Sequence, residues 1–165
     1  MSIPSHPCVV VGVDSSLHGL AALRFAAAEA AVRGVPLYAV RVQSEMLPPT
    51  DYRAIDDAFA EALGGFPYGV EVHKQMAVPP VAAALARRAS SERDLLVVGE
   101  SGHGMWHAFW FGSVARACLR KAICPVVAVP APEMARTVWR RIARWRRGST
   151  DVWQRFEEEQ PSLRG

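Results

Sequence analysis

The sequence predicts an α/β fold: a five-stranded parallel sheet, doubly wound into a three-layer α/β/α sandwich, with a helical extension at the C-terminus. Three observations carry that expectation. Short, continuous apolar runs recur along the chain, and helical stretches closed by glycine or followed by turn residues lie between them. The 165 residues are 50% hydrophobic and 21% charged, which is the balance of a folded globular chain.

The first run, Cys8 to Val13, is apolar throughout and is closed by Asp14-Ser15-Ser16. A strand buried on both faces reads this way, whereas a half-exposed strand alternates. Leu37 to Val42, Leu95 to Val98 and Val126 to Val129 repeat the pattern, and Val70 to His73 alternates as a less buried strand. Leu17 to Arg33 is an alanine-rich helix closed by Gly34, and Asp51 to Leu63 is a helix closed by Gly64-Gly65. Pro80 to Ala89 and Ser113 to Ala122 complete the order βαβαβαβαβ. Each parallel neighbour needs a crossover, and the crossover helices cover both faces of the sheet.

Composition excludes several classes. Cys8, Cys118 and Cys124 form no CxxC pair, so neither a disulfide framework nor a zinc cage follows from them. The N-terminus lacks a basic start and a long apolar core, so no signal peptide is read, no later stretch spans a bilayer, and a cytoplasmic location is expected. The formal charge of +3 is uneven: residues 1–132 hold 11 basic and 11 acidic side chains, and residues 133–165 hold 8 Arg and 5 acids. The body therefore carries no excess of charge for nucleic acid or an anionic membrane.

In a doubly wound sheet, ligands sit outside the carboxyl ends of the strands, where the winding direction reverses. The loops after Val13 and Val98 are the ones that such a switch point brings together. After Val98 come Gly99, Glu100, Ser101, Gly102, His103 and Gly104, and Gly112-Ser113 opens the next helix. Glycines let a phosphate approach bare backbone amides, and a helix start offers unpaired N–H groups at the positive end of its dipole. Opposite, Asp14 offers an acceptor for an adenine amino group or a ribose hydroxyl, and Ser15 and Ser16 offer caps for the following helix. Neither GxGxxG nor GxxxxGK[ST] occurs.

The spacing Gly99-x2-Gly102-x9-Gly112-Ser113 resembles the nucleotide motif of the universal stress protein family, G-x2-G-x9-G-[ST]. The strings VVVGVDSS, DLLVVG and CPVVAVP resemble the same family, and the likeness covers residues 7–131. The resemblance implies an adenine nucleotide alpha hydrolase-like domain that binds ATP, with AMP or cyclic AMP as alternatives and magnesium accompanying the phosphates. It implies that Gly12, Val13 and Asp14 contact base and ribose, that Val42 and Val98 form apolar walls, and that Gly99, Gly102, Gly112, Ser113 and Val114 hold ribose and phosphates. His103, with Gly104 beside it, stands where relatives often carry a basic residue, and its grip on phosphate weakens as it loses its proton near neutral pH. Glu100 departs from the pattern, since a carboxylate beside phosphates is repulsive. A homodimer through Val126–Val129 is implied as well.

No nucleophile stands beside a base by motif, and no GxSxG occurs, so at most slow ATP hydrolysis is expected. His103 and His107 lack a third ligand for zinc. Trp106, Trp110 and Phe111 read as core or interface anchors. Residues 132–165 form a separate extension, in which Arg136 to Arg147 is basic and amphipathic through Val138, Trp139, Ile142 and Trp145. It suits either packing or an anionic surface. Two functions thus stand: a nucleotide-binding stress or signalling module, and a dimeric scaffold working through its aromatic loop and tail.

Overall fold

The computed structural model describes residues 6–43, 52–100 and 112–130. Nine elements alternate along these segments: β1 (Val9–Gly12), α1 (Leu17–Arg33), β2 (Leu37–Val42), α2 (Arg53–Leu63), β3 (Val72–Ala77), α3 (Val81–Arg88), β4 (Leu95–Gly99), α4 (Ser113–Lys121) and β5 (Val126–Val129). The five strands form one sheet in the order β3-β2-β1-β4-β5, and every pairing is parallel. The expected parallel, doubly wound α/β class is the observed one; the expected C-terminal helical extension lies outside the described residues. β1 lies between β2 and β4, so the winding reverses between β1 and β4.

Strand alternation divides the core into two layers. Val9, Val11, Val13, Leu37, Ala39, Leu95 and Val97 pack with α1 and α2, around Leu23, Ile55 and Phe59. Val10, Val40, Leu96 and Val98 face the other way, onto Ala82 and Leu85 of α3 and Ala115 and Cys118 of α4. Both faces being covered, the central strands are apolar at consecutive positions, which is why they read as runs rather than as alternations.

Helix ends follow the local chemistry. Ser16 caps α1, its Oγ accepting from the Gly19 N–H at 3.0 Å. Gly34 and Gly64 end α1 and α2 in the left-handed region, with φ of 64° and 75°. The first described helical residue of α2 is Arg53, after Tyr52.

The third strand departs furthest from the bounds read in the sequence. The third strand runs over Val72–Ala77 rather than Val70 to His73, because β2 pairs with it residue for residue, from Leu37 opposite Val72 to Val42 opposite Ala77. Backbone pairing with a neighbour, not its own apolar pattern, defines this edge strand. α4 starts where the sequence reading put it, with Gly112 as its cap and Ser113 as its first helical residue, and ends at Lys121.

At the amino ends of the strands, Asp94 is buried at 2% exposure. Its Oδ1 accepts from the Cys8 N–H at 3.1 Å and the Cys8 thiol at 3.4 Å, and its Oδ2 accepts from the Ser91 N–H at 2.9 Å. Burial, and then the Asp94 charge, push the Cys8 thiol up to about 12, and burial pushes Cys118 up to about 11. These thiols are poor nucleophiles at neutral pH.

Candidate functional site

The carboxyl ends of β1 and β4 bring together the loop after Val13 and the residue following Gly99, at the switch point. Val13 N–H donates to the Val40 carbonyl at 2.9 Å, so β1 stays paired to β2 up to the turn. Asp14 then leaves the sheet and is exposed. Its Oδ1 accepts from the Ser16 N–H at 2.8 Å and from the Ser16 hydroxyl. α1 has no acidic residue of its own in its first turn, so the Asp14 carboxylate supplies the negative charge at its positive end.

The residues expected to form an apolar wall lie on the α3/α4 face. Gly12 pairs with Val40, and Val98 with Ala128. Val98 is 2% exposed, and Val42, Val114 and Ala128 are partly buried against the same core layer. Val13 points the opposite way, into the α1/α2 layer, at 6% exposure. Its side chain is core, and only its backbone belongs to the turn.

Two glycines have packing reasons of their own. A Cβ on Gly12 would lie 3.1 Å from Leu85 Cδ1, so the methyls of α3 fill the space above it. A Cβ on Gly99 would lie 2.8 Å from the His18 carbonyl carbon and 3.0 Å from the Gly19 nitrogen. The end of β4 therefore passes directly against the first turn of α1, beside the switch point where a doubly wound sheet forms its crevice. Glu100 continues past it, its N–H donating to the Val129 carbonyl at 2.8 Å.

Gly112 is buried at the head of α4, with φ −52° and ψ 156°, and as a glycine it brings no side-chain cap of its own. Ser113 is exposed and Val114 partly buried behind it. The first-turn amides of a helix have no intrahelical carbonyl to bind, which suits them to an anion. Gly102, His103 and Gly104 lie outside the described residues, as does the aromatic stretch 105–111.

Leu85 and Gly19 were not singled out from the sequence. Leu85 had no signal, since it meets Gly12 only through tertiary packing. Gly19 had one: a glycine early in an alanine-rich helix calls for a packing or functional reason. Among the described residues no three His, Cys, Asp or Glu side chains are placed to hold a metal ion. No described helix is long and apolar enough to cross a membrane.

A family model described as the universal stress protein family matches residues 8–130. Universal stress protein Rv1996 of Mycobacterium tuberculosis is 33% identical over 147 residues, covering 79% of this chain and 46% of that protein. The chain spans about half the length of such relatives. The structure of a universal stress protein from Archaeoglobus fulgidus in complex with dAMP is 26% identical, with a TM-score of 0.52, covering 75% of this chain and 98% of that one. A universal stress protein in complex with cAMP has a TM-score of 0.59 over 76% of this chain and 98% of its own; its 24% identity speaks to the fold alone.

Proposed function

The chain belongs to the universal stress protein family, and from that premise we propose that it binds an adenine nucleotide between the Asp14 turn and the head of α4, as a stress or signalling module without dedicated turnover. One observation carries the reading. A carboxylate acceptor and a helix start without a side-chain cap flank the carboxyl ends of the sheet whose winding reverses between β1 and β4. Charge gives the ligand a direction: phosphates belong at α4, because Asp14 already occupies the positive end of α1. Base and ribose then fall toward Gly12, Asp14, Val42 and Val98, and the phosphates toward Gly99, Gly102, His103, Gly104, Gly112, Ser113 and Val114. The relative bound to dAMP supports an adenine ligand.

ATP is the proposed ligand, with AMP and cyclic AMP as the alternatives to be compared. Magnesium would be held by phosphate oxygens, since the described residues assemble no acidic or imidazole cluster for it. A homodimer through β5 is part of the proposal, because β5 is a sheet edge whose outer backbone groups have no strand partner in the five-stranded sheet. The domain is taken as residues 7–131 and the extension as 132–165, where the charge of the sequence shifts to basic. A cytoplasmic location accords with three buried, unpaired cysteines.

The deciding experiment denatures freshly purified protein, identifies any released nucleotide, and titrates the apo protein with ATP, AMP and cyclic AMP with and without magnesium. Stoichiometric adenine nucleotide, or binding that Gly102→Val abolishes and Asp14→Ala weakens, supports the reading. Absence of both release and binding overturns it in favour of a scaffold. Light scattering across concentrations tests the dimer, and a monomer throughout would remove the β5 contact.

A further inference from the structure

Gly19 is buried at the third helical position after the Ser16 cap. Its backbone is helical, so glycine is not required there by conformation, and glycine disfavours a helix by about 1 kcal/mol relative to alanine. The requirement is spatial. A Cβ at this position would lie 2.1 Å from Asp14 Oδ1, 2.7 Å from Asp14 Cγ and 2.7 Å from the Asp14 carbonyl oxygen. The Asp14 carboxylate thus lies against the bare α-carbon of Gly19.

The hydrogen bonds run through the same three residues. Gly19 N–H donates to Ser16 Oγ at 3.0 Å, the Ser16 hydroxyl donates to Asp14 Oδ1, and Ser16 N–H donates to that oxygen at 2.8 Å. A hydroxyl that accepts from one side has its proton directed to the other.

We propose that Gly19 is a positioning residue: its missing side chain makes the socket in which the Asp14 carboxylate folds back on α1. Ser16 holds Oδ1 there, leaving Oδ2 to accept from a ligand. Any residue larger than glycine at position 19 pushes the carboxylate out of this socket. The consequence for ligand affinity rests on the nucleotide reading above, whereas the positioning itself does not.

The test compares the full-length protein with Gly19→Ala, Asp14→Ala and the double variant. The first readout needs no ligand: the Ser16 amide proton, shifted downfield by its bond to the carboxylate, moves upfield in Gly19→Ala as it does in Asp14→Ala. An unmoved Ser16 resonance in Gly19→Ala overturns the proposal. The second is AMP affinity by calorimetry. Gly19→Ala is expected to weaken AMP binding about tenfold or more, as for loss of a charged hydrogen bond, and to add much less once Asp14 is alanine, where only the backbone carbonyl remains for the new methyl to meet. Equal losses in both backgrounds overturn the positioning role, because the glycine would then act on something other than the carboxylate. If Ser16 responds as expected but Asp14→Ala leaves AMP affinity unchanged, the placing of the nucleotide against Asp14 fails and the positioning stands. Should Gly19→Ala fail to fold, recovery of folding in the double variant supports the socket. Failure of both places the clash on the Asp14 backbone and overturns it.

Discussion

Replacing Asp94 with alanine removes the acceptor that holds the start of β4 to the start of β1. Three donors lose their partner: the Cys8 N–H, the Cys8 thiol and the Ser91 N–H. Cys8 is 4% exposed, so water cannot replace the carboxylate at its amide. A buried N–H left unpaired costs about 1–3 kcal/mol, and the part-buried Ser91 amide costs less. The expected loss is roughly 2–4 kcal/mol, or a fall in melting temperature of about 8–15 °C for a domain of this size. Asp94→Asn keeps one acceptor for Cys8 while turning a donor toward Ser91, and should fall between the variant and the wild type. A second readout follows the thiol itself, with the pH at half-maximal rate, rather than the rate alone, reporting its ionisation. The Asp94 charge and its hydrogen bond both help to raise the Cys8 thiol, so in Asp94→Ala the folded protein should be alkylated by iodoacetamide at lower pH. Calorimetric scans and a pH series of alkylation rates measure the two effects. A melting temperature within about 2 °C of wild type, with unchanged alkylation, would refute the buried-acceptor reasoning.

Three further outcomes are expected. The Cys8 and Cys118 thiols stay neutral in the fold to about 12 and about 11, against 9.0 for the free group, so their contribution is full below pH 9 and is lost as pH rises through that window. The unfolding free energy from urea titrations should drop above pH 9 with a slope near 1.4 kcal/mol per pH unit per thiol, and an identical slope in Cys8→Ala/Cys118→Ala would count against it. Gly99→Ala should destabilise by about 1–3 kcal/mol, because it meets backbone atoms of His18 and Gly19. Gly12→Ala should cost less, since it meets the movable end of Leu85; equal melting shifts for the two would contradict this. Ser16→Ala removes the α1 cap and should cost about 1 kcal/mol in chemical denaturation, and no change would mean that water caps the helix equally well.

The central strands were legible because burial on both faces leaves no polar position to break the run, as Val9 to Val11 show at 0% exposure. β3 was misplaced because it lies at the edge of the sheet and is only partly buried, so polar Lys74 and Gln75 belong to it as readily as Val72. Asp14, Gly99 and Gly112 were legible as residue types at loop positions. Their individual reasons were not.

The sequence by itself determined the element order, the apolar strand runs, the motif spacing from Gly99 to Ser113 and, through these, the family. All of these are local patterns written in contiguous residues. Only the tertiary structure decided that Gly99 is there to clear His18, that Leu85 covers Gly12 across 73 positions of chain, and that Val13 faces away from the crevice. It also showed how closely Asp14 leans on Gly19, a contact that the order of residues permits but does not measure. The physical reason is common to them: a glycine's purpose lies in what a Cβ would strike, and that atom belongs to whichever element the fold brings alongside.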